Sequence, residues 1–211
     1  MTEVAPGVVH LPGWLDVERR RGLVAACRRW AAHGPGARAA RLPTGGQMSV
    51  ETVCLGWHWI PYRYSRTRDD QDGSAVLPFP AWLADLGREA VAAAYDDPEA
   101  GAEYRPDIAL VNFYGADSRM GMHQDRDEAA DDPVVSLSLG AACVFRIGNT
   151  ENRGRPYTDL VLDSGDLVVF GREHRLAYHG VPRMVPSFAV EDIGLPEGRI
   201  NITLRVSGLQ D

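Results

Sequence analysis

The chain has 211 residues, is 45% hydrophobic and 24% charged, and carries a formal net charge of −7. That composition is ordinary for a globular protein and long enough for one compact domain with a sizeable core, and no apolar run approaches the roughly 20 residues that cross a bilayer. Net acidity argues against a surface coated for nucleic acid, although all 22 basic residues are arginine and several cluster (Arg19, Arg20 and Arg21; Arg63, Arg66 and Arg68; Arg153 and Arg155), so a local basic surface could still track phosphates.

The opening Met1-Thr2-Glu3-Val4 lacks the basic region and apolar stretch of a secretory leader. Asp16 can cap a helix running to about Ala32, with Val17, Val24, Cys27 and Ala31 near helical spacing. Residues 33–46 are rich in Gly, Pro and Ala and read as loop, 48–55 as a strand, and the aromatic stretch 57–64 as a second strand or hairpin. Residues 65–74 are charged and turn-like. Pro80 suits the first position of a second helix, 81–95, with Leu83, Leu86, Ala90 and Ala93 inward. The three cysteines, Cys27, Cys54 and Cys143, are far apart and odd in number, which fits reduced thiols in a cytosol.

After Pro106 the pattern changes to short strands between turns: 108–114, 120–124, 134–139, 143–147, 158–162, 167–170, 175–178 and 200–206. Many short strands at regular spacing imply a β-sandwich or barrel, and helices that precede the strands rather than alternate with them argue against a parallel βαβ sheet.

Within this half lie two chemical patterns. His123 and Asp125, two apart on an extended segment, project to one side, and His179 follows a strand at a turn beside Gly180. Two imidazoles and one carboxylate with positions left open suit Fe(II) that must also bind a co-substrate and oxygen. His-x-Asp alone is weak, since about one in every two chains of this composition should contain it. The segment Arg199-Ile200-Asn201-Ile202-Thr203-Leu204-Arg205 is far rarer, on the order of 10⁻³ per chain. As a strand it sets Arg199, Asn201, Thr203 and Arg205 on one face, where two buried guanidiniums require an anion. His10, His33, His58 and His174 lack a carboxylate at a matching offset and read as surface or packing residues.

These residues, with Asn112-Phe113-Tyr114, Met122-His123-Gln124-Asp125-Arg126-Asp127-Glu128, Val135-Ser136-Leu137-Ser138-Leu139-Gly140, Gly165-Asp166-Leu167-Val168-Val169 and Tyr178-His179-Gly180, resemble the AlkB family of Fe(II)/2-oxoglutarate dioxygenases of the bacterial type. The resemblance covers most of the chain from about Gly45 to Val206. It implies a mainly β (α+β) fold, a double-stranded β-helix or jelly-roll with N-terminal supporting helices and a nucleotide-recognition lid. One domain over 1–211 would hold helices and lid in about 1–106 and the catalytic core in about 107–207.

By the same resemblance His123, Asp125 and His179 ligate iron and form the catalytic centre, and Asn112, Tyr114, Arg199, Asn201 and Arg205 hold 2-oxoglutarate. Trp57, Tyr62 and Tyr64 match the lid aromatics, His179 can wall the opposite side of the base, and Asp127 matches the base-contacting carboxylate, with Glu128 beside it. Arg153 is the candidate for the backbone-contacting arginine, with Asn152 or Arg155 as neighbours. The implied reaction consumes O2 and 2-oxoglutarate, oxidises the alkyl group of bases such as 1-methyladenine or 3-methylcytosine in single- or double-stranded DNA or in RNA, including tRNA, and releases formaldehyde, succinate and CO2. The expected protein is a cytoplasmic bacterial monomer engaged in DNA repair, with no membrane partner. The same chemistry on a small molecule or protein, a cupin-like isomerase that needs no 2-oxoglutarate, and a non-catalytic nucleic-acid-binding jelly-roll remain as alternatives.

Overall fold

The computed structural model describes residues 1–42, 45–185 and 192–210. The chain opens with a hairpin of Thr2–Ala5 (β1) and Val8–Leu11 (β2), for which no element was expected. Four-residue strands are too short to display a period-two pattern. Asp16 caps the first helix, Val17–Ala31 (α1), its carboxylate accepting from the Arg19 N–H at 2.8 Å. Arg38–Arg41 (β3) is a strand inside the segment expected as loop, of which Pro43 and Thr44 lie outside the described residues. It pairs with the long strand Gln47–Leu55 (β4). The aromatic stretch is a two-stranded hairpin, His58–Ile60 (β5) and Arg63–Ser65 (β6).

The second helix, Ala81–Tyr95 (α2), has the expected bounds, with Pro80 at its N-cap rather than at its first helical position. A short helix, Pro98–Glu103 (α3), follows under an Asp97 cap and had no periodic signal long enough to reveal it. Then come Ile108–Tyr114 (β7), Met120–His123 (β8), Val134–Gly140 (β9), Cys143–Gly148 (β10), Tyr157–Leu162 (β11), Leu167–Phe170 (β12), His179–Met184 (β13) and Arg199–Arg205 (β14). The strand expected at 175–178 is instead the end of a 3-10 turn at Arg172–His174, with Arg175 helical at φ −53°, ψ −39°. Arg175 is buried and donates to the Asp132 and Asp125 carbonyls, each at 2.6 Å, which fixes that turn. His179 therefore begins a strand rather than following one.

The strands form two facing sheets, β1-β2-β12-β9-β14-β7-β4-β3 and β11-β10-β13-β8, the jelly-roll that the spacing and the resemblance implied. N-terminal strands β2 and β4 pair with β12 and β7, so both parts of the chain share the larger sheet. No helix among the described residues is long and apolar enough to cross a membrane.

Period-two alternation divides the larger sheet into two chemistries. One face presents Val111, Leu137, Val169, Ile200, Ile202 and Leu204 to Leu23, Val24 and Cys27 of α1 and to Leu83, Ala90, Val91 and Ala94 of α2. Each of the valine, leucine and isoleucine side chains here contributes about 1.5–3 kcal/mol when fully buried. The α2 stripe runs through Leu83, Gly87, Ala90, Val91 and Ala94, with Leu86 partly buried against it as expected, whereas Ala93 lies beside the stripe. All three cysteines are buried free thiols, and burial pushes Cys27 up to about 12. The other face turns Asn112, Tyr114, Ser136, Ser138, Arg199, Asn201, Thr203 and Arg205 toward the smaller sheet.

In the smaller sheet β13 pairs with β8 so that His179 lies directly across from His123. The next residue must be glycine. A Cβ on Gly180 would stand 2.7 Å from the Met120 carbonyl oxygen and 2.9 Å from the Gly121 carbonyl carbon, backbone that cannot swing aside. Gly180→Ala should push β13 from β8 and destabilise the fold by about 1–3 kcal/mol. Urea denaturation checks this, and an unchanged midpoint would show that β8 yields freely.

Candidate active site

His123 ends β8, Asp125 follows it, and His179 starts β13, and one ligand atom from each lies within 4.8 Å of the others. The backbone sets the protonation of both rings. His123 Nδ1 meets the Gly121 carbonyl at 2.9 Å and His179 Nδ1 meets the Ala177 carbonyl at 3.0 Å. A carbonyl only accepts, so each Nδ1 carries the proton and each Nε2 turns a bare lone pair inward. Both Nε2 atoms stand 3.5 Å from an Asp125 carboxylate oxygen, and Asp125 Oδ2 is buried without a hydrogen-bond partner. Two lone pairs and an unpaired carboxylate oxygen converge with no proton among them, an arrangement that fits a divalent cation.

Electrostatics keep the cluster in that state. Burial and then the neighbouring His179 push His123 down to about 4, so it is neutral well below physiological pH. Burial opposes ionisation of Asp125, but the Arg205 guanidinium outweighs it and holds the carboxyl well below the usual range. The His179 ring lies beside Phe170, with centroids 4.7 Å apart, and is almost closed to solvent, whereas His123 is 35% exposed toward the opening. Both rings line the cavity, and His123 is the more exposed of the two.

Asp125 belongs to a buried charge network. Arg205 Nη2 pairs with Asp125 Oδ1 at 2.7 Å, and Arg205 Nη1 donates to Glu128 Oε1 at 2.8 Å. Arg175 Nη2 donates to Glu128 Oε2 at 3.1 Å while its Nη1 holds the Asp125 carbonyl. Tyr64 donates its hydroxyl to Glu128 and accepts from Arg205 at 3.0 Å. The Glu128 side chain has no exposure, so Glu128 and Tyr64 do not line the opening as substrate contacts; both are consumed by this network.

The triad lies at one end of a cavity of about 760 Å³ between the sheets. Its walls include every residue expected to hold the diacid: Asn112, Tyr114, Arg199, Asn201 and Arg205. Arg199 is 2% exposed and donates from Nη2 to Ser138 Oγ at 2.8 Å, leaving Nε and Nη1 without partners. No carboxylate pairs with it among the described residues. Arg205 Nε is likewise unpartnered. Buried donors of this kind normally have acceptors, and a carboxylate supplies them. Asn112 and Asn201 orient each other, Asn112 Nδ2 donating to Asn201 Oδ1 at 3.3 Å, while Thr52 donates to Asn112 Oδ1 at 2.8 Å. Burial raises the Tyr114 hydroxyl well above its usual range, so it stays a neutral donor.

At the opening, Tyr62, Asp127 and Arg153 line the cavity as expected, but Trp57 does not. Trp57 is buried with Cys54, Ile108 and Leu110, donates to Asp107 at 3.0 Å and has the Arg66 guanidinium 3.6 Å over its ring. Trp59, two residues on, lines the cavity instead and donates its indole N–H to Asp127 Oδ2 at 2.9 Å. The sequence signal that could have found it is the adjacent repeat Trp57-His58-Trp59, in which either indole could serve. His58, read as a surface or packing residue, is buried, with its Nε2 hydrogen-bonded to Asp70 Oδ1 at 2.6 Å.

Comparison with known proteins gives a consistent picture. Residues 7–205 match the model of the 2OG-Fe(II) oxygenase superfamily. The chain is 40% identical to the alpha-ketoglutarate-dependent dioxygenase AlkB homolog of Caulobacter vibrioides, over 96% of this chain and 88% of that one. It is 31% identical to DNA N(6)-methyladenine demethylase ALKBH1D of Arabidopsis thaliana, over 96% of this chain, and spans about half, 50%, of that longer relative. The solved structure of OsALKBH1 superposes with a TM-score of 0.85 at 30% identity, covering 97% of this chain and all of that one.

The network predicts a large effect for Glu128. Glu128→Ala leaves Arg175 and Arg205 buried without their shared carboxylate and should cost about 3–5 kcal/mol of stability. Thermal and urea unfolding measure this. A stable variant that had lost only affinity for a methylated oligonucleotide would return Glu128 to the base-contacting set.

Proposed function

The chain belongs to the 2OG-Fe(II) oxygenase superfamily, and from that premise we propose that it reverses alkylation damage by oxidative demethylation of nucleic-acid bases such as 1-methyladenine and 3-methylcytosine. It is an Fe(II)- and 2-oxoglutarate-dependent dioxygenase. The substrate class rests on one observation above all, an indole-held carboxylate, Asp127, at the mouth of the cavity that contains the triad. N-methylation at the pairing edge of adenine or cytosine gives a base that can carry positive charge, which a nearby carboxylate favours over a neutral base. The Arabidopsis relative is named a DNA N(6)-methyladenine demethylase, which supports an N-methylated nucleobase as the substrate class without specifying a charged one.

In this reading His123 Nε2, His179 Nε2 and Asp125 are the iron ligands. Iron(II), when bound, supplies the oxidation of the N-methyl carbon by dioxygen with 2-oxoglutarate as co-reductant, yielding the restored base, formaldehyde, succinate and CO2. The remaining residues bind, orient and exclude. Arg199 takes the distal carboxylate of the diacid, because its guanidinium is the buried charge left without an anion. Arg205 offers its free Nε while holding Asp125 in place. Asn112, Asn201 and Tyr114 fix the diacid between those ends. Phe145 and Phe170 keep the His179 ring in position and water away from it.

A base must leave its stack to enter, and Trp59 and Tyr62 on one side with His123 on the other offer flat surfaces that offset part of that cost. Arg153 on the rim takes a phosphate. All of these residues come from one chain within a single domain, so one copy suffices for turnover.

The direct test is an anaerobic titration with Fe(II) and 2-oxoglutarate, then oxygen, with methylated DNA, methylated RNA and N6-methyladenine oligonucleotides in parallel. Formaldehyde and succinate should appear in equal amounts with the preferred strand; their absence with every oligonucleotide would overturn the proposal. His123→Ala and Asp125→Ala should abolish turnover, and wild-type rates in either would remove the metal assignment. Arg199→Ala should weaken 2-oxoglutarate binding about 10–100-fold, measured calorimetrically with Mn(II) in place of iron; an unchanged affinity refutes its role. Asp127→Asn should reduce the preference for 3-methylcytosine over the neutral 3-methylthymine, and identical ratios of kcat/KM would count against a charge-reading role.

A further inference from the structure

Trp59 is anchored at three points. Its N–H donates to Cys54 Sγ at 3.4 Å, its carbonyl accepts from Arg38 Nη2, and its indole N–H holds Asp127. The middle anchor comes from a cluster outside the active site. His58 is 3% exposed, and its Nε2–H donates to Asp70 Oδ1 at 2.6 Å. Arg38 Nε pairs with the other oxygen, Asp70 Oδ2, at 3.1 Å. Arg38 lies on β3 at the edge of the larger sheet, His58 opens β5, and Asp70 comes from the loop after β6. The three side chains therefore fasten both the start of the lid hairpin and the loop behind it to the rigid sheet.

Resting on the functional reading above, we propose that Arg38, His58 and Asp70 are positioning residues for base recognition, which fix the Trp59 backbone so that the indole presents Asp127 to the alkylated base. None of the three lines the cavity, so none touches substrate. Their effect runs through one residue. With the clamp intact the indole is fixed at both ends, and Asp127, which takes no ion-pair partner among the described residues, has one oxygen held and the other free to face a base. With the clamp open, Trp59 keeps its pairing with β6, its contact with Cys54 and its packing against Trp57, Ile108 and Leu110, but its carbonyl loses the Arg38 anchor. The indole edge then shifts relative to Asp127, which loses its donor for part of the time. The co-substrate end of the cavity, built on β7, β9 and β14, shares none of these contacts.

The test measures binding, with Mn(II)-loaded full-length protein, 2-oxoglutarate and no oxygen. Affinity is read by fluorescence anisotropy for an oligonucleotide carrying one 3-methylcytosine and for its unmodified counterpart. Asp70→Asn and His58→Leu should each lower the preference for the methylated strand roughly tenfold. His58→Gln, whose amide places a donor near the Nε2 position, should restore most of it. Trp59→Phe should cost as much as Asp70→Asn, and the double variant should cost no more than either single, because both act through the same indole. Affinity for 2-oxoglutarate should stay within about twofold throughout. Additive losses in the double variant, a parallel fall in 2-oxoglutarate affinity, or an unchanged preference would each overturn the positioning role. If the unaltered protein binds 2-oxoglutarate and does not prefer the methylated strand, the substrate reading and this inference fall together; if it does prefer it and the variants match it, the clamp alone falls.

Discussion

The ion pair between Arg205 and Asp125 is the interaction on which the site depends. A carboxylate as buried as Asp125 would take up a proton were no cation beside it, and a protonated acid is a poor metal ligand. Arg205 prevents that at 2.7 Å. Arg205 is itself buried and would be costly alone, so Glu128 neutralises it from the other side, and Arg175 balances Glu128. Two acids and two arginines cancel within this network, leaving Arg199 as the uncompensated buried guanidinium. A divalent cation and a dicarboxylate also cancel one another, so loading the site brings no net charge into the interior. Arg199 stands outside this balance, which is why it, rather than Arg205, is the residue we propose for the distal end of the diacid.

The double use of strand alternation explains how a chain of this size holds both a core and so polar a cavity. On β14 every residue is buried. Ile200, Ile202 and Leu204 enter the layer beneath the helices, while Arg199, Asn201, Thr203 and Arg205 enter the cavity. The central position of β14 between β7 and β9 sets the register of both faces at once, with Asn201 opposite Asn112 and Ser138. A slip of one residue would exchange the two faces and bury guanidiniums against leucine. The same register therefore protects the hydrophobic layer and the chemistry.

Legibility in the sequence follows the range of the interactions. The strand 199–205 and the His123/Asp125 pair are local patterns with fixed periods, and 108–114 and 167–170 were readable to the residue for the same reason. The pairing of His179 with His123 is a property of the sheet, but the Tyr178-His179-Gly180 motif marks where it occurs, because only glycine allows β8 to approach there. The 3-10 turn before His179 was unreadable. It is held by Arg175 reaching carbonyls of Asp125 and Asp132, contacts with no sequence period. Glu128 was misread for a related reason. Beside Asp127 in the sequence it looks like a second base-reading acid, and only the positions of Arg175, Arg205 and Tyr64 show that it faces inward.

The exchange of Trp57 for Trp59 shows how such a site can shift along a chain without losing its chemistry. What the opening requires is a flat surface whose edge carries one donor for Asp127. Either indole satisfies the chemistry, so position is decided by what else each can bury. Trp57 finds Asp107 for its N–H and Arg66 for its face, and Asp107 in turn holds the Ser207 hydroxyl and amide near the end of β14. That interior post fastens the root of the hairpin to the strand that carries Arg199 and Arg205. With Trp57 so employed, the hairpin can be short and still rigid, because its root is packed by one tryptophan and its tip is presented by the next. Asp127 then meets a donor whose position is inherited from β14, so the carboxylate on the cavity wall is aligned with the strand that carries Arg199 and Arg205.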